Sequence, residues 1–286
     1  MADTMGMADL RAEHIDSAVT GFVLSEYKLK PLCLIKKSSA QTESYYAETS
    51  TELTGGTGNA VRGVPRGADF PFLEASWTKY SSVQEKYAGK GIVFYEDQLF
   101  NNFDVISRTF EKIGHAVAYA VDTVIEAAIS TNAGNTFSIV ATYEWDSATV
   151  ANRDPISDLF QAIRLCAEDN YDVLKNGYLV VNPQDYQWLL SNVKVTNNPS
   201  FKSADVITNG VVGQLAGLKI VVSNAVTADQ AYVLQGQKAV VWQEAAPLKV
   251  FQVKEEGIKT TISAFEMGVA QVTNPNAICK ITNTRK

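Results

Sequence analysis

The stretch from Asn102 to Gly134, NFDVISRTFEKIGHAVAYAVDTVIEAAISTNAG, decides how the chain is read. Apolar residues recur in it at steps of three and four: Phe103, Ile106, Phe110, Ile113, Val117, Val121, Val124 and Ala128. That period puts them on one face of an amphipathic helix. The spacing predicts a helix over 102–130, about 43 Å long at 1.5 Å per residue. Thr131-Asn132-Ala133-Gly134 supplies an Asn/Gly stop. Such a helix is longer than the ordinary run in a globular domain. A coiled coil is the bland alternative, but about four heptads without sustained charged flanks favour a spine that supports a sheet.

Working outward, Gly91-Ile92-Val93-Phe94-Tyr95 reads as a short strand and 96–102 as a turn with helix-start residues. Downstream, Asp154-Pro155 opens a second helix, with Asp as N-cap and Pro at the first helical position. Its buried face is Ile156, Leu159, Phe160, Ile163 and Cys166. Gly177 to Val181 is a strand, and Asn182-Pro183 caps a helix over 184–191. Further strands are expected near 218–223, 231–234, 238–242, 250–254, 258–265, 269–272 and 277–281. Strands that alternate with capped helices indicate an α+β class.

The N-terminal third differs. Residues 1–36 carry a weak helical pattern (Leu10, Ile15, Val19, Phe22, Val23) that stops before Pro31. Residues 37–90 are rich in hydroxyls and hold the Gly-dense Gly55-Gly56-Thr57-Gly58, with strand character returning between Phe70 and Lys86. A loop this long is unusual inside a compact domain. The alternatives are a disordered insertion and a two-stranded arm lying on a neighbour. An isolated hairpin is marginal in water, so the arm reading requires a partner chain. Contact with that partner is expected at Gly55, Gly56, Arg62, Arg66, Phe70 and Trp77.

Composition excludes several functions. Among 286 residues, 46% are hydrophobic and 20% charged, ordinary globular values. No apolar run approaches the roughly 20 residues that span a bilayer. The acidic start lacks the basic and apolar stretches of a signal peptide. With 25 Lys+Arg against 31 Asp+Glu, the net charge of −6 argues against tight sequence-independent binding to nucleic acid. Cys33, Cys166 and Cys279 are far apart and odd in number, so they read as reduced, buried thiols. The two histidines, His14 and His115, show no zinc spacing with them. The Gly-dense loop lacks the Gly-Lys-Ser/Thr ending of a phosphate cradle. Acid pairs such as Glu96-Asp97 and Glu255-Glu256 have no visible partner. No catalytic, cofactor-binding or metal-ligating residue is assigned, and no enzyme activity or cofactor is expected. Charge is uneven: 101–150 carries six acids and two bases, 246–286 three acids and six bases. Complementary faces between copies are one reading of that asymmetry.

The order of these elements resembles the major capsid proteins of tailed phages and related archaeal viruses, with the Hong Kong 97-type fold. The resemblance rests on Ile92 to Leu99 leading into Phe103 to Ile129, and on Gly177-Tyr178-Leu179-Val180-Val181-Asn182-Pro183. It also rests on Gly213-Gln214-Leu215-Ala216-Gly217-Leu218-Lys219-Ile220-Val221-Val222-Ser223, where Lys219 stands in place of a frequent Pro. Tyr95 replaces the Ser that often precedes the Glu at the strand end. The resemblance implies an N-terminal arm over 1–36 and an extended β-hairpin loop over 37–90. A peripheral domain would span 91–150 and 246–286 with the spine helix at 102–130, and an axial domain 151–245. It implies self-assembly through pentamers and hexamers into an icosahedral shell around double-stranded DNA, in a virion capsid assembled in the host cytoplasm. The implied partners are copies of the chain, with portal, scaffolding or decoration proteins, weak contact with packaged DNA, and no membrane. An encapsulin-like nanocompartment shell shares the fold and is the alternative. A soluble ligand-binding protein or hydrolase would need a pocket with convergent polar groups.

Overall fold

The computed structural model describes residues 27–47, 64–69, 78–100, 105–196 and 214–286. In chain order these form a 3₁₀ turn Lys30–Leu32, β1 Leu34–Lys37, β2 Thr42–Ala47, β3 Thr78–Val83, β4 Glu85–Phe94, α1 Tyr95–Phe100 and α2 Val105–Asn132. There follow β5 Asn135–Ser138, α3 Pro155–Glu168, β6 Gly177–Val181, α4 Pro183–Ser191, α5 Val193–Thr196, β7 Gln214–Leu215 and β8 Leu218–Val222. The chain closes with β9 Gln230–Gln235, β10 Val240–Glu255, β11 Lys259–Val272 and β12 Ile278–Thr282. They build a four-stranded sheet (β1-β10-β11-β4), a six-stranded sheet (β5-β12-β9-β6-β8-β7) and a two-stranded ribbon (β2-β3).

The long helix is α2, and its buried face differs from the expected stripe at the C-terminal end. Phe110, Ile113, Val117 and Val121 are buried as expected, but the stripe continues through Ile125 and Ile129, while Val124 and Ala128 are half-buried. Each i+4 step overshoots a full turn by about 40°, so a run of such steps carries the stripe around the helix. The turn is needed because α2 packs first on β4 and β11 and then reaches the six-stranded sheet. There Glu126 accepts from the Tyr232 hydroxyl at 2.6 Å and Ser130 Oγ from Lys280 at 2.8 Å. By length and mean hydropathy α2 would pass as a membrane span, yet half of its apolar window is buried against the body. Gly91 permits the close approach of strand and helix: a Cβ there would lie 2.4 Å from Thr109 Cγ2.

Three short strands expected in 250–272 are two long ones. β10 runs unbroken from Val240 through Pro247 to Glu255, absorbing the proline in register shifts between Glu244 and Lys249. Such bulges are how an antiparallel ladder tolerates a residue without an N–H. Opposite, Gly268 leaves room for the Trp242 ring, which a Cβ would meet at 2.4 Å.

Residues 278–282, grouped by the sequence with the long helix, hydrogen-bond into the six-stranded sheet, between β5 and β9. Ile278, Cys279 and Ile281 are all buried, so this strand needs cover on both faces. A central position against α3 supplies it. The caps follow the sequence reading: Asp154 accepts from Ser157 N at 3.3 Å, and Asn182 from Gln184 N at 3.1 Å.

Candidate functional site

The most concentrated polar chemistry lies where Tyr27 to Cys33 docks on α2 and the four-stranded sheet. Asp122 projects from the buried face of α2 and accepts three successive backbone N–H groups, from Lys28 at 2.8 Å, Leu29 at 3.1 Å and Lys30 at 3.2 Å. Burial pushes its carboxyl above the usual range, and the three N–H donors pull it part of the way back. The Lys30 ammonium sits 2.6 Å from Glu266 Oε1 and 3.1 Å from Glu244 Oε1. The Lys30 and Glu266 side chains are 7% and 0% exposed, so this is a buried ion pair. Tyr27 donates its hydroxyl to the other Glu266 oxygen. The rings of Tyr27 and Trp242 lie 4.9 and 5.9 Å from the ammonium. Burial, then the Glu266 charge, drives the Tyr27 phenol well above its ordinary range, so it stays a donor. Leu32 C=O accepts from Gln237 N at 2.7 Å, and β1 pairs in parallel with β10. One short segment therefore ties the helix, the four-stranded sheet and the turn after β9.

Both oxygens of Asp122 and of Glu266 are taken up by N–H, ammonium or hydroxyl donors, and Glu244 holds Lys30 through one oxygen. A groove of about 550 Å³ lies beside it, lined by Lys28, His115, Tyr119, Asp122, Ser223 and Asn224 among others. Asp122 is already committed to the backbone there. His115 is on the exposed side of α2; His14 is outside the described residues. Cys33, Cys166 and Cys279 are buried, and burial pushes each thiol up to about 12, far from a reactive thiolate.

Of the residues expected to touch a neighbour, Arg66 is described: it is exposed in the turn closed by Ala68 N to Pro65 O at 3.1 Å. Gly55, Gly56, Arg62, Phe70 and Trp77 are outside the described residues. The strands flanking that region form the β2–β3 ribbon, in register from Thr42↔Val83 to Ala47↔Thr78, with Tyr45 and Tyr80 stacked at 5.6 Å. Tyr46, Tyr80 and Val83 are 55%, 46% and 56% exposed, so the ribbon carries apolar surface that the described residues leave uncovered.

Four of the six acids of 101–150 are taken up within the chain: Asp122, Glu126 and Glu144 are buried, and Asp146 accepts from Lys286 N at 3.1 Å, while Glu111 is exposed and Asp104 is outside the described residues. Much of the basic excess of 246–286 is also engaged internally, Arg285 with Asp185 at 3.0 Å and Lys259 with Glu255 at 3.4 Å.

Residues 79–281 match the family model described as phage capsid protein. The chain belongs to the phage capsid protein family. No curated protein matches the sequence. Among solved structures, the capsid of cyanophage P-SCSP1u superposes with a TM-score of 0.69 at 17% identity, covering 89% of this chain and 87% of that one. A virus-like particle from Pyrococcus furiosus gives 0.64 at 15% identity, over 94% and 98%. The mature capsid of bacteriophage PhiM1 gives 0.62 at 15%, over 91% and 88%. The fold is the Hong Kong 97-type capsid fold, and the chain is a major capsid protein, the subunit of a shell.

For a capsid subunit the buried anchor gains meaning, because it fixes residues 27–33 against α2 and the four-stranded sheet. Its residues were not singled out by the sequence. Asp122 and Glu126 both fall inside an apolar helical stripe, and that misfit was the available signal.

Proposed function

We propose that this capsid protein assembles through pentamers and hexamers into the icosahedral head of a tailed virus, enclosing double-stranded DNA. The exposed β2–β3 ribbon carries the reading. Two strands with apolar side chains in the open are marginal alone and gain stability on a neighbouring subunit. In this assignment 37–90 is the loop that overlaps the neighbour, with Gly55, Gly56, Arg62, Arg66, Phe70 and Trp77 at the contact. The four-stranded sheet with α2 is the peripheral domain. The six-stranded sheet with α3 and α4 is the axial domain, and it includes the strand 278–282. The chain's work is structural, and assembly takes place in the host cytoplasm. A net charge of −6 suits a wall along which DNA must slide. Portal, scaffolding and decoration proteins are the expected further partners.

The rival within the same fold is a nanocompartment filled with an enzyme. Particles isolated from the native source and treated with nuclease separate the two. Protected double-stranded DNA of uniform length is the expected content; a folded protein cargo without DNA would overturn the assignment. Deleting Thr54 to Arg66 should leave folded subunits that do not close shells, and normal particles from that variant would refute the loop's role.

A further inference from the structure

The face of the four-stranded sheet turned away from α2 is uncovered among the described residues. Directly opposite residues on antiparallel strands share a face, so the register sorts the side chains. Thr260, Ile262, Ala264 and Glu266 of β11 are buried toward α2, with Val93 and Tyr87 beside them on β4. On the other face lie Ile92 and Phe94 of β4, Phe251 and Val253 of β10 and Phe265 of β11. Ile92, Phe94, Phe251 and Val253 are each about half exposed, at 48–59%, and Phe251 stacks on Phe265 at 5.6 Å. Around them stand Lys86, Lys90 and Lys249, all exposed, with Lys86 above the Phe265 ring at 4.5 Å. The acid on this face, Glu255, is paired with Lys259 at 3.4 Å. The patch is therefore apolar at the centre and basic at the rim.

Helix α1 has the complementary chemistry. Tyr95, Leu99 and Phe100 are 45%, 62% and 78% exposed, and Phe100 exceeds every other large apolar side chain among the described residues. Glu96 and Asp97 stand beside them, both exposed. Within one chain α1 cannot reach the patch. Gln98 Nε2 donates to Thr260 Oγ1 at 3.2 Å, which fixes α1 over the α2 side of the sheet, and the sheet separates it from the lysines.

We propose that the outer face of the four-stranded sheet receives residues 95–100 of a second copy, with Leu99 and Phe100 on the Phe251–Phe265 surface and Glu96 and Asp97 against Lys86, Lys90 and Lys249. This rests on the shell reading and names one of its contacts. Opposite charge at an apolar patch sets register as well as attraction.

Two measurements test it. p-Benzoylphenylalanine at position 251, photolysed in a mixture of ¹⁵N-labelled and unlabelled chains, should give adducts joining 251 of one copy to 95–100 of another. Adducts to 48–77, to any other segment, or within one copy alone would overturn the proposal. Separately, Glu96→Lys with Asp97→Lys, and Lys86→Glu with Lys90→Glu and Lys249→Glu, should each lower shell yield at least about tenfold without changing the melting temperature. Combining the two sets should restore it to within about threefold, since opposite charges again meet. Wild-type-like yield from either set, or no recovery on combination, would refute the contact. Absence of wild-type shells under every condition would instead overturn the shell reading, and the photo-adducts from concentrated protein would still decide the contact.

Discussion

At the scale of residues, the Lys30–Glu266–Glu244 cluster is the element most exposed to single changes. A buried charge left without its partner costs about 3–5 kcal/mol, whereas an apolar replacement of a whole buried ion cluster is close to neutral. Glu266→Ala should therefore lower the unfolding free energy by about 3 kcal/mol, softened by the Glu244 that remains at 3.1 Å from Lys30. Lys30→Met, Glu244→Gln and Glu266→Leu together should lose clearly less in urea unfolding. A triple variant as unstable as Glu266→Ala would show that the ions act through more than their mutual pairing. Asp158 and Asp185 make a pH prediction. Burial raises each carboxyl to about 6, against the donor Trp145 for Asp158 and Arg285 for Asp185. The folded state thus holds protons that the unfolded chain, titrating near 4, has released. Their contribution is fully present below about pH 4 and is lost as pH rises to about 6. Asp158→Asn keeps an oxygen for Trp145 Nε1, now at 3.0 Å, and removes one titration. Urea midpoints measured from pH 4 to 7 should fall less in this variant than in the parent; an equal fall would assign the effect elsewhere.

Among the elements, α2 carries the most packing, and its stripe gives a comparison within one helix. Ile125 is fully buried while Val124 is half-buried on the flank. Ile125→Ala should cost about 2–5 kcal/mol and Val124→Ala well under half of that. Equal losses would mean that the stripe follows 124 and 128, as the three-and-four spacing alone suggests. That contrast shows what the sequence reveals of an element. The existence of α2 and its stop near Asn132, and the caps at Asp154 and Asn182, are local properties and are legible from spacing and capping chemistry; the expected start at 102 lies outside the described residues. The rotation of the stripe is imposed by two sheets in succession, which no local pattern contains. In the same way, the strands expected separately at 258–265 and 269–272 are one strand through Gly268, and β10 continues through Pro247, because the Trp242 ring and a bulge absorb these residues. The strand 278–282, which the resemblance grouped with the spine helix, has its partner β9 over forty residues away in sequence.

The described residues form a four-stranded and a six-stranded sheet joined by α2, with the β2–β3 ribbon as a third, and the segment 27–37 ties the first sheet to α2 and to the turn after β9. The order of its motifs was sufficient to suggest a capsid fold, because topology survives where identity to solved capsids is 17% or lower in the structures compared above. Of the anchor, only Asp122 carried a signal, as an acid in an apolar helical stripe; Lys30, Glu244 and Glu266 look like surface residues until strand register brings them together. The outer sheet face was hidden for a related reason: Lys249 is far in sequence from Lys86 and Lys90 and joins them only through strand register. The central claim, that this chain builds a shell, is tested most directly by negative-stain electron microscopy of the purified protein over a range of concentrations. Closed particles of uniform diameter are predicted. Particles absent at every concentration, with the protein folded and monomeric throughout, would contradict it.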